Sequence, residues 1–86
     1  MSRLEKAIER LKTVPKDYTY SEAKYLLGQL GFIEDNKGRT SGSRVKFERQ
    51  SDGAFVLLHK PHPSDIMSVG SVRDIIFILK ELGEIE

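Results

Sequence analysis

Residues 44–59, RVKFERQSDGAFVLLH, decide the fold, because they encode two strands and the turn between them. Val45 and Phe47 alternate with charged residues, which is the two-residue period of a strand with one buried face. The turn that follows is Ser51-Asp52-Gly53, since an Asp-Gly pair tolerates positive φ. The run from Ala54 to His59 is apolar up to its last residue, and it predicts a strand in the middle of the sheet or covered on both faces.

Helical patterns flank this hairpin on both sides. Residues 2–12 and 19–30 place apolar side chains at i, i+3, i+4 and i+7, and each pattern begins with a capping box. Gly31 fits the left-handed position that ends the second helix. Gly28 lies inside that helix, where glycine is unfavourable, and we expect close packing to require it. A third helical pattern covers residues 71–83.

A short strand that begins at residues 32–35 completes the order helix, helix, strand, strand, strand, helix. This order predicts an α+β fold: a small three-stranded antiparallel sheet with the helices packed on one face and the other face open to water. The core, residues 19–85, has the α-β-β-β-α order of double-stranded-RNA-binding domains, and residues 2–13 form an extra N-terminal helix. The whole chain, residues 1–86, is predicted to be one domain.

Composition excludes several classes of protein. The chain has no cysteine, so disulfides and thiolate metal sites are impossible. No run approaches the roughly 18 apolar residues that span a membrane, and the N-terminus has no signal-peptide core, so we expect a cytoplasmic protein without membrane contacts. We predict no cofactor and no metal, because His59, His62 and Asp65 surround prolines at a strand end and have no fixed ligand geometry.

Positive charge is concentrated in one segment of a nearly neutral chain. The net charge is +1, but residues 37–49 carry five bases and a single acid, Glu48. A local basic segment is expected where one face meets phosphates, and the alternative is a solvated strand face. The candidate RNA-binding residues in and beyond this segment are Arg39, Ser43, Arg44, Lys46 and Lys60.

The two histidines, His59 and His62, are the catalytic candidates, because imidazole titrates nearest neutral pH. Metal-independent RNA cleavage needs a base for the 2′-OH proton, an acid for the leaving 5′-oxygen, and cations for the phosphate. His59 follows an apolar run, so we expect it to be partly buried and to serve in packing. His62 lies between two prolines and is expected to be exposed and rigid, so we favour it. The alternative for both is a structural or surface role.

Four short motifs, in this order, make the chain resemble the HicA toxins of bacterial toxin–antitoxin pairs. They are Leu30-Gly31-Phe32, Gly42-Ser43-Arg44, His59-Lys60-Pro61-His62-Pro63 and Ile78-Leu79-Lys80-Glu81-Leu82-Gly83. The resemblance covers residues 19–85. It implies ribosome-independent cleavage of mRNA, which stops translation, and a HicB-like antitoxin that masks the RNA-facing surface. We predict that such an endoribonuclease is metal-independent.

One position departs from the family pattern. The resemblance implies a catalytic histidine directly after Gly-Ser, and here that residue is Arg44. Arginine stays protonated and cannot act as a base near neutral pH. Either the chemistry has moved to His62, with Arg44 holding the phosphate, or this chain binds RNA without cutting it. A third hypothesis is a protein-interaction domain whose basic strand meets an acidic partner.

Overall fold

The computed structural model describes residues 2–35, 44–61 and 63–86. Within them the elements are, in chain order, α1 (Arg3–Lys12), α2 (Tyr20–Gln29), β1 (Ile33–Asp35), β2 (Arg44–Glu48), β3 (Phe55–His59) and α3 (Val69–Glu81). The strands form one antiparallel sheet, so the predicted α+β fold is confirmed. No helix in these ranges is long and apolar enough to cross a bilayer.

The strand order is β1-β2-β3, which makes β2 the central strand and β3 an edge strand of the described sheet. The prediction that β3 lies in the middle of the sheet or is covered on both faces is therefore wrong. Successive side chains of a strand point to opposite faces, and in β3 only Val56 and Leu58 are buried. Phe55 and Leu57 point the other way and are 51% and 44% exposed.

The core lies between the inner face of the sheet and the helices. Phe47, Val56 and Leu58 are the buried side chains of β2 and β3, and they belong to one cluster. Helix α2, before the sheet, and helix α3, after it, contribute to the same cluster Leu26, Leu27, Val72, Ile75 and Leu79. Helices α2 and α3 therefore pack on one face of the sheet, as predicted. Helix α1 adds Leu11, which is fully buried, so the extra N-terminal helix is part of the core.

Helix N-termini follow the capping signals of the sequence in two of three cases. Capping boxes begin α1 and α2, and they pair Ser2 with Glu5 and Thr19 with Glu22. Helix α3 begins earlier than the predicted residue 71, because Ser68 is its N-cap and accepts a hydrogen bond from the Ser71 N–H at 3.1 Å. A serine stands at both positions, and the earlier one adds Val69 and Gly70 to the helix.

The glycines at the end of α2 differ from each other. Gly31 has φ of +95°, which confirms the left-handed residue predicted after this helix. The prediction that Gly28 is required by close packing is wrong. Gly28 is exposed, and beyond the backbone of the helix itself and the two neighbouring residues, a Cβ added to it would meet no described atom within 4 Å.

The segment that follows β3 is attached to the start of α2. Tyr20 N–H donates to the Asp65 carbonyl, and Met67 N–H donates to the Tyr18 carbonyl, each at 2.7 Å. The Asp65 carboxylate accepts hydrogen bonds from the N–H and the hydroxyl of Ser21, at 3.1 and 2.7 Å. These bonds hold the chain beyond the end of β3 against the N-terminus of α2.

Candidate nucleic-acid interface

The face of the sheet that points away from the helices is called the outer face here. Alternation along each strand and the strand register place on it Ile33, Asp35, Arg44, Lys46, Glu48, Phe55, Leu57 and His59. The helices cover the opposite face, so the outer face is the side of the described sheet that is open to a ligand.

Arg44 and His59 lie directly opposite each other on β2 and β3. Opposed residues of an antiparallel pair have Cβ atoms about 4.5–5.5 Å apart, so the guanidinium and the imidazole can reach one phosphate. Both residues are exposed. The prediction that His59 is partly buried is wrong, because it shares the outward direction of Phe55 and Leu57 and not that of Leu58.

Lys46 lies on the same face, two residues along β2 from Arg44. Its register partners are Asp35 on β1 and Leu57 on β3. The Lys46 ammonium is 5.2 Å from the centre of the Phe55 ring and 3.9 Å from a Glu48 oxygen. An exposed ion pair of this kind contributes only about 0–1 kcal/mol to stability, so a phosphate can compete for the ammonium.

Lys60 is directed away from Arg44 and Lys46. Its ammonium lies 5.8 Å from the centre of the Tyr20 ring, at the start of α2 and on the helical side of the sheet. Burial, reinforced by the nearby Glu34 carboxylate, raises the pKa of Tyr20 to about 12, so the ring under the ammonium stays neutral. The structure therefore brings Arg44, Lys46 and His59 together and places Lys60 around the edge of the sheet.

Arg39, Ser43 and His62 lie outside the described residues, as does the predicted loop from Gly38 to Ser43. Their assigned roles stay predictions. Among the described residues no three His, Cys, Asp or Glu side chains are grouped as they would be around a metal ion. The Asp65 carboxylate, which the sequence places near both histidines, is already bonded to Ser21.

Arg49, the last base of the basic segment, has a structural role that the sequence did not indicate. Its guanidinium bonds Asp52, Glu84 and the carbonyl of Leu30, and it lies 4.8 Å from the centre of the Phe32 ring. The hydrogen bonds from Arg49 lower the pKa of Asp52 to about 2. Arg49 therefore joins the hairpin turn, the end of α2 and the C-terminal segment.

Sequence reasoning also missed the apolar part of the outer face. Ile33 is 65% exposed and lies on the same side as Phe55 and Leu57. The one signal for this was the two-residue period of a strand, because Phe55 and Leu57 lie four and two residues before His59. The outer face therefore combines cations and an imidazole with exposed apolar side chains.

The fold and the outer face define a class of protein: a small α-β-β-β-α domain that presents an imidazole and two cations on the open side of its sheet. A family model described as HicA toxin of bacterial toxin–antitoxin systems matches residues 20–84, from α2 through α3. The chain belongs to the HicA toxin family, and α1 lies outside the matched region. Searches of curated proteins and of solved structures returned no match.

Proposed function

We propose that the chain binds mRNA on the outer face and cleaves it without a metal ion, and so stops translation. One observation carries this proposal: Arg44 and His59 are direct cross-strand partners, both exposed, on the open face of the sheet. A permanent cation and an imidazole are two of the groups that metal-independent cleavage of a phosphodiester needs.

In the proposed reaction the 2′-oxygen of a ribose attacks the adjacent phosphorus, and the bond to the 5′-oxygen breaks. A histidine removes the 2′-OH proton as the new P–O bond forms, and a second histidine donates a proton to the departing 5′-oxygen. The products are a 2′,3′-cyclic phosphate and a 5′-hydroxyl. We assign these proton transfers to His62 and His59, while Arg44 stabilises the charge on the phosphate.

The remaining contacts hold the RNA. Lys46 on the outer face, Lys60 at the edge of the sheet, and Arg39 and Ser43 in the preceding loop are assigned to phosphates. Phe55 has an exposed ring beside the Lys46 ammonium. Exposed aromatic rings stack unpaired bases, so Phe55 is the residue that we assign to a base next to these phosphates.

A second candidate function is RNA binding without cleavage. It is favoured by the arginine at position 44, because a guanidinium cannot serve as the base at the place where the family resemblance implies a histidine. Under this alternative the same residues contact phosphates, and growth arrest results from occupying transcripts and not from cutting them.

We also propose a HicB-like antitoxin as the protein partner and the cytoplasm as the location. The support for a protein partner is the set of exposed apolar side chains on the outer face, since exposed apolar groups next to charges are typical of protein interfaces. A partner seated there would cover the Arg44–His59 pair. If the chain acts only through such a partner, the protein-interaction hypothesis applies.

The test is incubation of purified protein with mRNA, comparing wild type with His62→Ala, His59→Ala and Arg44→Ala. Arg73→Ala is the matched control, because Arg73 is exposed on α3, away from the sheet. Removal of a general acid or base is expected to slow cleavage about 10²–10⁴-fold. Each protein is also expressed in cells, where growth arrest is expected for wild type and Arg73→Ala.

The results separate the candidates. Cleavage and growth arrest unchanged in both histidine variants would remove the catalytic assignment. Salt-dependent RNA binding by the wild type with no cut transcript would establish the second candidate. Arg44→Ala should then make the slope of log affinity against log salt shallower by about 0.7. Absence of RNA binding at low salt would contradict both and leave the protein-interaction hypothesis.

A further inference from the structure

A groove of about 400 Å³ runs between α1 and α2. One of its walls, α1, lies outside the region that the family model matches. From α1 it is lined by Arg3, Lys6, Ala7 and Arg10, and from α2 and the residues before it by Tyr18, Ser21, Glu22 and Tyr25. Its size lies in the range of ligand sites. The outer face of the sheet does not contribute to it.

The groove carries net positive charge. Arg10 is paired with Glu22 at 2.8 Å and with Asp17 at 3.2 Å, so one cation faces two carboxylates, and Arg3 and Lys6 bring the net charge around the groove to +1. The hydrogen bonds from Arg10 and from the Thr19 N–H lower the pKa of Glu22 despite its partial burial. Arg3 and Lys6 are exposed one helical turn apart, and no described carboxylate forms an ion pair with either.

The walls of the groove are aromatic as well as cationic. The Tyr18 ring is buried below the Arg10 guanidinium, 5.8 Å from it, and forms part of the floor. Tyr25 also lines the groove and is 42% exposed, so part of its side chain is accessible to a ligand. Free cations beside an open aromatic ring fit a nucleotide, whose base stacks while its phosphates meet the charges.

The groove adjoins the segment that carries the candidate catalytic residues. Ser21 lines the groove and also bonds the Asp65 carboxylate. Asp65 belongs to the segment that leaves β3 after His59 and passes through Lys60, whose ammonium lies over Tyr20 in the first turn of α2. A strand of RNA that leaves the edge of the sheet at Lys60 therefore meets α2 beside the groove.

We propose that the α1–α2 groove is a second RNA subsite, which takes a single-stranded segment of the same transcript. Tyr25 stacks on a base, and Arg3 and Lys6 hold the phosphates on either side of it. The proposal rests on the proposed function only in that the chain binds RNA. It makes α1, which is outside the family match, a source of affinity for RNA beyond the cleavage site.

The experiment measures fluorescence anisotropy of a labelled single-stranded RNA oligonucleotide with full-length protein over a series of salt concentrations. Arg3→Ala/Lys6→Ala is expected to reduce the slope of log affinity against log salt by about 1.4, which corresponds to two phosphate contacts on a single strand. Tyr25→Ala is expected to weaken binding about tenfold. Tyr25→Phe keeps the ring and is expected to bind as wild type does.

The control is Lys16→Ala/Lys80→Ala, which removes the same net charge. Neither lysine lines the groove, and both are exposed. Groove variants that bind RNA as this control does, while Arg44→Ala/Lys46→Ala loses binding, would overturn the subsite and leave the proposed function intact. Failure of the wild type to bind any RNA would overturn both. If the groove variants bind RNA normally but no longer bind an acidic peptide that the wild type binds, the groove is a protein-binding site and the proposal is overturned.

Discussion

Alanine at the two glycines near the end of α2 is expected to have opposite effects on stability. Gly28→Ala places a Cβ on the exposed side of the last turn of α2, where no described atom beyond the backbone of the helix itself and the two neighbouring residues lies within 4 Å. Alanine is better than glycine at such a position by about 0.5–1 kcal/mol, because it has less backbone entropy to lose on folding. The free energy of unfolding is therefore expected to rise by that amount.

Gly31→Ala is expected to lower the free energy of unfolding. Gly31 has φ of +95°, and a Cβ there would lie 3.1 Å from Cδ and 3.5 Å from Cγ of Arg49. Left-handed backbone costs about 1–2 kcal/mol for a residue with a Cβ, and the reduced entropy of the unfolded chain offsets about 0.4–1 kcal/mol of it. The net loss is about 1 kcal/mol, before any displacement of the Arg49 side chain.

The assay is urea denaturation followed by circular dichroism, under conditions where a single transition is observed. The two variants should differ by about 2 kcal/mol, or about 8–16 °C in Tm for a domain of this size. Repeating Gly31→Ala in an Arg49→Ala background separates backbone strain from the contact with Arg49, since only the contact produces a coupling free energy. A Gly31→Ala protein as stable as Gly28→Ala would refute the reasoning.

Three further outcomes are expected. Arg49→Ala should destabilise the fold more than Arg73→Ala does. The wild type is expected to lose stability as the pH falls from about 4 towards 2, where the Asp52 carboxylate becomes protonated, and the Arg49→Ala protein should no longer show this loss. In a Tyr25→Phe protein, ultraviolet absorbance should show the two buried tyrosines, Tyr18 and Tyr20, ionising near pH 12; they ionise near 10 when unfolded, so stability should fall as pH rises from 10 to 12. Leu57→Ser on the open face should change the free energy of unfolding by less than about 1 kcal/mol, measured by urea denaturation.

The fold could be predicted because its signals are local. Capping boxes, helical stripes and the alternation of Val45 and Phe47 each need only a few neighbouring residues, and each is confirmed. The edge position of β3 could not be predicted in this way. Strand order depends on which helix and strand faces meet in three dimensions, and an apolar run carries no information on whether one side or both are covered.

The candidate site was less predictable for a related reason. Alternation placed Arg44 and Lys46 on one side of β2, and the structure agrees. The four residues before His59 are all apolar and show no alternation. The face of the sheet on which His59 lies could therefore be assigned only once Val56 and Leu58 were known to be buried. The cross-strand pairing also needed the turn to be located to the residue, because a one-residue shift would move His59 to the inner face.

The composition of the outer face bears on how an antitoxin would act. A polyanion accounts for Arg44 and Lys46 but not for exposed Leu57, since RNA phosphates give an aliphatic side chain nothing to pack against. A protein partner accounts for Leu57 by covering it. Lys46 is the register partner of Leu57, so a protein that covers one excludes RNA from the other.

If inhibition is simple occupancy of this face, Leu57→Ser should weaken inhibition by the antitoxin in growth assays while RNA binding by the free protein is retained. Equal inhibition of Leu57→Ser and wild type would place the antitoxin elsewhere.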